Sequence, residues 1–192
     1  MPLPSPHEYS PRRIRLLLST IVASLLLALA LPALSSACTG ADDAPTARTI
    51  AVARSATLCL LNEQRAANGL GRLRAHRMLQ SAAQRYAGAM VRGGFFSHVS
   101  PTGSTLEQRI RQGTRYLAGA LRYEIGENIA WGQGELGKPR AIVAAWMASP
   151  GHRANILRPT FREIGIGIAA GAPVPGLGGP AFTYANEFGT RR

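Results

Sequence analysis

Three side chains whose types suit proton transfer or metal binding lie in the second half of the sequence: His98, Glu127 and His152. Both histidines fall on segments between predicted regular elements, where binding and catalytic groups concentrate. Glu127 lies among the apolar residues of a predicted strand, and a buried carboxylate needs a partner or a shifted pKa. The three residues therefore predict a polar cleft.

Two kinds of role fit this set of residues. Two neutral imidazoles and a carboxylate are ligand types that suit zinc and leave one position open for water, so His98 and His152 are candidate metal ligands. Alternatively, the residues form a buried polar network that holds loops in place, with Asn128, Asn155 and Arg65 as further members. Acyl transfer lacks its parts, because no serine lies on a strand-to-helix elbow and no cysteine is placed as a nucleophile.

Hydrophobic periodicity predicts the elements that must position these residues. The clearest amphipathic helix contains the apolar residues from Leu79 to Val91 and ends at Gly93 and Gly94. Three further helices are predicted, at 55–68 with Ser55 as N-cap, at 104–112 with Ser104 or Thr105 as N-cap, and at 138–148. Strands are predicted at 125–131, 164–168 and 182–188. This order, with short links, indicates one α/β domain in which helices flank a sheet.

Five linked motifs occur in order along the chain. They are Asn62-Glu63-Gln64-Arg65, Phe96-Ser97-His98, Gly126-Glu127-Asn128-Ile129-Ala130, the segment from Trp146 through Ser149 to Leu157, and Ile164-Gly165-Ile166-Gly167. Together they resemble the CAP superfamily, the SCP-like domains of cysteine-rich secretory, antigen 5 and pathogenesis-related 1 proteins, in its short bacterial form, over roughly residues 57–189. The resemblance implies secretion and a three-layer α-β-α sandwich with a central, mostly antiparallel sheet.

The resemblance also implies a central cleft in which relatives gather two histidines and two acidic residues. Carried over by motif, His98 and His152 are the histidines and Glu127 is the first acid. Many relatives have the second acid three residues after the helical tryptophan, but this position is Ser149 here, as is common in the bacterial form. The expected ligand-binding cleft therefore consists of His98, Glu127, His152, Asn128 and Asn155.

Three functions are compatible with such a cleft. Because one acid is missing and some relatives bind lipid or sterol, the sequence favours a secreted, non-enzymatic binding module for a lipid or another envelope-derived ligand. The first alternative is a zinc-dependent hydrolase of peptide or cell-envelope material, with His98 and His152 holding the metal and Glu127 orienting water. The second is a structural or signalling surface protein. The sequence makes no cofactor certain, and zinc or another divalent metal at His98 and His152 is the candidate for the binding module as well as for the hydrolase.

The net charge points to anionic partners. The chain has 22 basic and 10 acidic side chains and a formal net charge of +12. Such a surface attracts anions through its field, and an anionic cell-envelope polymer is the expected partner. Nucleic acid is not expected, because the arginines are scattered along the chain without a basic run or interleaved aromatic residues.

The N-terminal segment has the order of a secretory signal peptide. Basic residues at 12–15 precede an apolar run at 16–31 and small residues up to Ala37, so we expect cleavage after 1–37 and no transmembrane segment in the mature form. A membrane anchor, a lipidated Cys38 and twin-arginine export are the alternatives. Residues 38–54 are predicted to form a linker arm, and 55–192 the domain.

The chain contains two cysteines, Cys38 and Cys59. In the oxidising surroundings of an exported protein, they are expected to form a disulfide. This bond closes a loop that stabilises the fold by about 3 kcal/mol in the chain-entropy model. The alternative is two unpaired thiols, with a lipid on Cys38.

Overall fold

The computed structural model describes residues 38–177 and 179–192. The predicted signal peptide, 1–37, lies outside the described residues and remains a prediction. Within the described residues, no helix combines the length and the apolar character needed to cross a membrane.

The described chain contains five α-helices and four strands. The helices are α1 (Ile50–Ala67), α2 (Arg77–Gly93), α3 (Leu106–Gly113), α4 (Pro139–Ala148) and α5 (Pro150–Ile156). The strands are β1 (Arg74–Ala75), β2 (Tyr123–Gln133), β3 (Glu163–Ala170) and β4 (Ala181–Arg191). A 3-10 turn at Gly134–Gly137 joins β2 to α4.

The four strands form one mixed sheet in the order β1-β3-β4-β2. The β3–β4 and β4–β2 pairs are antiparallel, whereas β1 runs parallel to β3. The sheet is therefore mostly antiparallel, as predicted, and it is not purely so. Strand β1 was not predicted, because its two exposed residues are too few to show a periodicity.

Helices cover both faces of the sheet. On one face, α1, α4 and α5 pack on strand side chains that include Ile166, Tyr184 and Phe188. On the other face, α2 packs on Ile129 and Ala185. Because neighbouring strand residues point to opposite faces, β2 and β4 contribute apolar side chains to both layers. The predicted three-layer α-β-α sandwich is thus confirmed.

Two glycines of β3 allow α2 to lie close to the sheet. A Cβ atom on Gly165 would lie 2.0 Å from the backbone carbonyl carbon of Leu79, and one on Gly167 would lie 2.3 Å from that of Ala83. No side chain larger than hydrogen fits there unless the helix moves. The isoleucines of β3 therefore pack in the core on one face of the sheet, and its glycines make room for α2 on the other face.

The segment predicted as a linker arm, 38–54, differs from that prediction. Helix α1 begins at Ile50, five residues before the predicted start, and Ser55 lies inside it with its hydroxyl donating to the Ala51 carbonyl. Ahead of the helix, Cys38 and Ala41 are buried in the core, and Asp42 forms a two-bond ion pair with Arg140 of α4. Sequence periodicity missed this packing because the contacts are made with residues distant in the chain.

The disulfide between Cys38 and Cys59 is present, so neither cysteine is free. It joins the start of the described chain to the middle of α1, and this link explains why residues before the predicted helix are ordered against the domain. A thioether-linked lipid on Cys38 is incompatible with this bond. The alternatives to the disulfide, which are two unpaired thiols and a lipid on Cys38, are therefore wrong for this structure.

The close approach of α2 to β3 leads to a stability prediction. Gly165→Ala forces a methyl group into the backbone of α2, so its free energy of unfolding should fall by about 3 kcal/mol, measured by urea denaturation. Gly151→Ala is the matched control, because nothing lies within 4 Å of its Cβ position in helix α5. Equal stability of Gly165→Ala and the wild type would contradict the close packing.

Candidate functional site

A buried ion pair organises the predicted cleft. Glu127, in the middle of β2, is only 3% exposed at its side chain. Its Oε1 atom accepts a hydrogen bond from Nδ1 of His98 at 2.8 Å, and its Oε2 atom lies 2.5 Å from Nη2 of Arg109. Both carboxylate oxygens therefore have a donor, as a buried charge requires.

The bond to Glu127 orients the imidazole of His98. A carboxylate accepts, so the proton lies on Nδ1, and the neutral ring has its lone pair on Nε2. The side chain of His98 is 55% exposed, in contrast to that of its partner. Its position between a buried carboxylate and solvent suits hydrogen bonding to an external group.

Arg109, which the sequence analysis did not identify, holds the loop that carries His98. From α3, its Nη1 atom donates to the carbonyl oxygens of His98 at 2.9 Å and Ser104 at 3.0 Å. Its guanidinium lies 3.3 Å from the ring centre of Tyr86, whose hydroxyl donates to the Ser97 carbonyl at 2.6 Å. Burial raises the pKa of Tyr86 to about 12, so this hydroxyl remains a donor at neutral pH. Nothing in its sequence context distinguishes Arg109 from the other arginines.

The second histidine, His152, lies in the first turn of α5. Its backbone carbonyl accepts from Nδ2 of Asn128 at 3.0 Å, and Asn155 donates to the Glu127 carbonyl at 3.1 Å and to Oδ1 of Asn128 at 2.9 Å. Burial lowers the pKa of the His152 imidazole, and its electrostatic interaction with His98 lowers it further. The two asparagines thus attach α5 to β2 and bring His152 close to His98.

Arg65 makes no hydrogen bond to His98, Glu127 or His152 within the described residues, so its inclusion in their polar network was wrong. Its guanidinium is fully buried and donates to backbone carbonyls of Gly71, Ile156, Arg158 and Phe161. These bonds join α1 to the end of α5 and to the following loop.

Glu187 of β4 is a second acid beside Glu127, and the sequence analysis did not identify it. The β2–β4 register places the two residues directly opposite each other, and such pairs have Cβ atoms about 4.5–5.5 Å apart. Glu187 is fully buried, and neither carboxylate oxygen has a hydrogen-bond partner within the described residues. Burial raises the pKa of its carboxyl well above the ordinary value, and the charge of Glu127 raises it further, against the effect of Arg109 and Arg85. Glu187 is therefore protonated at pH values where exposed glutamates are charged.

The arrangement does not provide a three-ligand metal site. Within the part of the chain that the structure describes, three candidate ligand atoms lie within 4.8 Å of one another only at Cys38, Cys59 and Glu63, and both of those sulfurs are in the disulfide. Glu127 is engaged by its two donors, which leaves the imidazoles of His98 and His152 as ligands. Two nitrogen ligands are fewer than the three protein ligands of catalytic zinc sites.

Exposed apolar side chains lie on the loop of His98 and on the loop between β3 and β4. Phe96 and Val99 are 43% and 46% exposed, and Val174 and Leu177 of the second loop are exposed to a similar extent. The two loops approach each other where Pro175 lies 3.4 Å from the Cβ position of Gly94, the residue that ends α2. We call Phe96, Val99, Val174 and Leu177 the apolar rim.

The sequence and the structure are both similar to those of known proteins. Residues 58–176 match the model of a family described as CAP, the cysteine-rich secretory protein family. The uncharacterized protein YkwD of Bacillus subtilis is 38% identical over 109 residues, which cover 56% of this chain and 39% of that protein.

Two solved structures share the fold. An extracellular protein of Bacillus anthracis that contains an SCP domain has a TM-score of 0.53 and 28% identity, over 69% of this chain and 38% of that one. An outer surface protein of Borrelia burgdorferi has a TM-score of 0.55 and 22% identity, over 69% of this chain and 87% of that one, which is a likeness of fold. The chain spans about two fifths of the length of the two Bacillus proteins.

The buried ion pair leads to a prediction by double-mutant cycle. Arg109→Met leaves Glu127 charged and buried without its main partner, which should lower the free energy of unfolding by about 3 kcal/mol at pH 7. Adding Glu127→Gln should recover part of this loss, so the two effects should not add when measured by urea denaturation. Arg111→Met is the control, because this exposed arginine of the same helix should cost less than about 1 kcal/mol. Equal costs for Arg109→Met and Arg111→Met would contradict the role of the pair.

The protonated acid leads to a prediction about pH. Because the pKa of Glu187 is higher in the folded than in the unfolded protein, its contribution to stability is complete at low pH and is lost as pH rises above about 4.5. The free energy of unfolding of Glu187→Gln, relative to the wild type, should therefore increase with pH by up to about 1.4 kcal/mol per unit. Denaturation between pH 4 and pH 8 measures it, with the exposed Glu135→Gln as control. Parallel pH profiles for Glu187→Gln and the wild type would show that Glu187 is ionised.

Proposed function

The chain belongs to the CAP family of cysteine-rich secretory proteins, and we propose that it is a secreted, non-enzymatic module that binds an amphipathic, envelope-derived ligand. In this proposal, the polar end of the ligand contacts His98 and His152, and its apolar part lies against the apolar rim. Glu127, Asn128 and Asn155 position the two histidines and do not react.

The engagement of both oxygens of Glu127 is the observation on which the proposal rests. A general base needs a free lone pair directed at a substrate proton or a water. Here Arg109 and His98 occupy both oxygens, and Arg109 is itself tied to the backbone of the His98 loop. The second acid, Glu187, is fully buried, and its burial raises the pKa of its carboxyl well above the ordinary value. Neither Glu127 nor Glu187 is therefore suited to act as a base, and the groups at the mouth of the site are the hydrogen-bonding imidazoles.

The apolar rim supports an amphipathic ligand. Large apolar side chains that are exposed together mark surfaces that bind apolar partners. Phe96 and Val99 flank His98 in the sequence, so the apolar and polar features of the surface meet on one loop. A lipid has the corresponding combination of an apolar chain and a polar head.

Three observations support secretion. The N-terminal sequence has the order of a signal peptide, and the disulfide requires an oxidising compartment. The structural relatives include an extracellular and an outer surface protein. Activities of the longer Bacillus proteins are not transferred, because this chain covers about two fifths of them.

The zinc-dependent hydrolase is less well supported than the binding module. It needs a third protein ligand and a base, and the described cleft offers two imidazoles and an engaged carboxylate. A structural or signalling surface protein would need neither the exposed imidazole nor the apolar rim. Ligand and metal measurements on the same preparation distinguish the three.

The proposal predicts lipid retention that depends on the rim. The protein, incubated with a total lipid extract of bacterial envelopes and passed through gel filtration, should retain lipid that mass spectrometry identifies. Phe96→Ser with Val99→Ser should retain roughly tenfold less, because about 1.4 kcal/mol of lost apolar contact changes affinity tenfold. Leu121→Ser, which removes an almost fully exposed leucine outside the rim, should retain as much as the wild type.

Two outcomes would contradict the proposal. Absence of lipid from the wild-type protein would favour the structural or signalling alternative. Zinc binding in titration calorimetry that disappears in His98→Ala with His152→Ala, together with peptide or envelope hydrolysis, would establish the hydrolase instead.

A further inference from the structure

A groove lined by arginines lies at the end of the sheet where β2 and β3 begin and β4 ends. It consists of two adjoining cavities of about 750 and 530 Å³, which share Arg162, Thr190 and Arg191. Its basic lining residues are Arg72, Arg74, Arg122, Arg162, Arg191 and Arg192. We call these six residues the arginine groove. None of them belongs to the cleft or to the apolar rim.

The strand register brings these residues together from distant parts of the chain. Arg74 of β1 pairs with Glu163 of β3, and Tyr123 of β2 pairs with Arg191 of β4. Arg122 and Arg162 directly precede β2 and β3. The arginines that are scattered in the sequence thus form one concentrated surface, where each guanidinium adds to the same field.

The acidic side chains at the groove are engaged elsewhere. Glu163 accepts a hydrogen bond from the hydroxyl of Tyr116 at 2.7 Å. Glu124 accepts from Arg158 at 2.5 Å and from the hydroxyl of Thr160. The bonds from Thr160 and Arg158 lower the pKa of Glu124, and Arg158 compensates its charge. The six groove arginines outnumber the two acidic residues of the lining, Glu124 and Glu163.

Two of the arginines are held in place and retain free donors. Arg162 donates through Nη1 to the Phe161 carbonyl at 3.0 Å and to that of Pro159, and Arg191 donates through Nη1 to the Tyr116 carbonyl at 2.8 Å. A guanidinium has five N–H donors, so most donors of these side chains remain available. Arg72, Arg74 and Arg122 are exposed and make no side-chain hydrogen bond or ion pair within the described residues.

We propose that the arginine groove binds an extended, phosphodiester-linked polyanion that carries no nucleobases. The groove is then a second binding site, separate from the proposed cleft. A guanidinium group binds phosphate oxygens through two parallel hydrogen bonds. Six guanidinium groups along two adjoining cavities therefore match a chain of phosphates better than they match a single phosphate ion. Binding of such a chain relieves the repulsion among the arginines.

The lining disfavours the two other large anionic partners. Single-stranded nucleic acid binds through successive stacked aromatic rings, whereas Tyr123 is the one aromatic residue that lines the described groove. Its ring lies 5.1 Å from the Arg111 guanidinium, and its hydroxyl donates to Glu107 at 2.6 Å. A membrane surface requires a flat or convex basic face, and these arginines line cavities.

Inorganic polyphosphate is the probe that tests the proposal on the full chain. The wild type should bind it, with affinity that falls as salt rises. A triple variant should weaken binding at least about tenfold; it combines Arg72→Gln, Arg74→Gln and Arg122→Gln. The slope of the logarithm of the binding constant against the logarithm of the salt concentration should become shallower by about two to three. Fluorescence anisotropy with labelled polyphosphate at 50–300 mM salt measures both effects. The thermal unfolding midpoint should not fall, because the three side chains make no hydrogen bond or ion pair within the described residues and their removal reduces repulsion.

A second triple variant controls for net charge. Arg48→Gln, Arg92→Gln and Arg115→Gln remove the same charge from exposed positions outside the groove, and should weaken binding less than about threefold. Equal weakening in both variants would overturn the proposal, because it would show attraction by net charge alone. Absence of polyphosphate binding would also overturn it.

Two competitor arms test the class of partner. Tighter binding of oligo(dT) than of polyphosphate would overturn the proposal in favour of nucleic acid. Binding to vesicles with 30% phosphatidylglycerol in the absence of polyphosphate binding would overturn it in favour of a membrane surface. The Phe96→Ser, Val99→Ser variant should bind polyphosphate as the wild type does, so failure at the groove and failure at the cleft are separate results.

Discussion

The burial of the Glu127 charge is the constraint on which the site depends. A carboxylate at the centre of a sheet is stable only if donors satisfy both oxygens. Arg109 supplies one donor from α3 and His98 supplies the other from the loop after α2. Arg109 also binds the backbone of that loop, so neutralising the charge positions the exposed imidazole. The geometry of the cleft is thus a consequence of electrostatics inside the fold.

Two acids on neighbouring strands have very different surroundings. Glu127 has a cationic partner and a second donor, whereas Glu187 has no hydrogen bond within the described residues. Like charges on directly opposed residues repel, so protonation of one acid lowers the energy of the pair. Glu187 is the less satisfied of the two, and burial followed by the charge of Glu127 raises the pKa of its carboxyl. Glu187 belongs to β4 and lies directly opposite Glu127 of β2 in the register.

Much of the fold was predictable from the sequence because its determinants are local. The apolar spacing in α2 and its terminal glycines, the Thr105 cap of α3 and the alternation in β3 are properties of neighbouring residues, and the structure has each element. The start of α1 and strand β1 were missed because they depend on the disulfide and on pairing with β3. In the site, motif order identified His98 and Glu127, which are in direct contact, and His152, which lies near them.

Order and spacing along one chain are enough to predict the family, the layer architecture and the polar residues at the mouth of the cleft. Distances between elements show in addition that Arg109 neutralises Glu127, that Glu187 lies opposite Glu127, that Arg65 does not bond to the cleft residues and that scattered arginines form one groove. Sheet register and helix packing set these distances between residues far apart in sequence. Residue type and local spacing contain no information about them, because a charge interacts with whatever the fold places beside it.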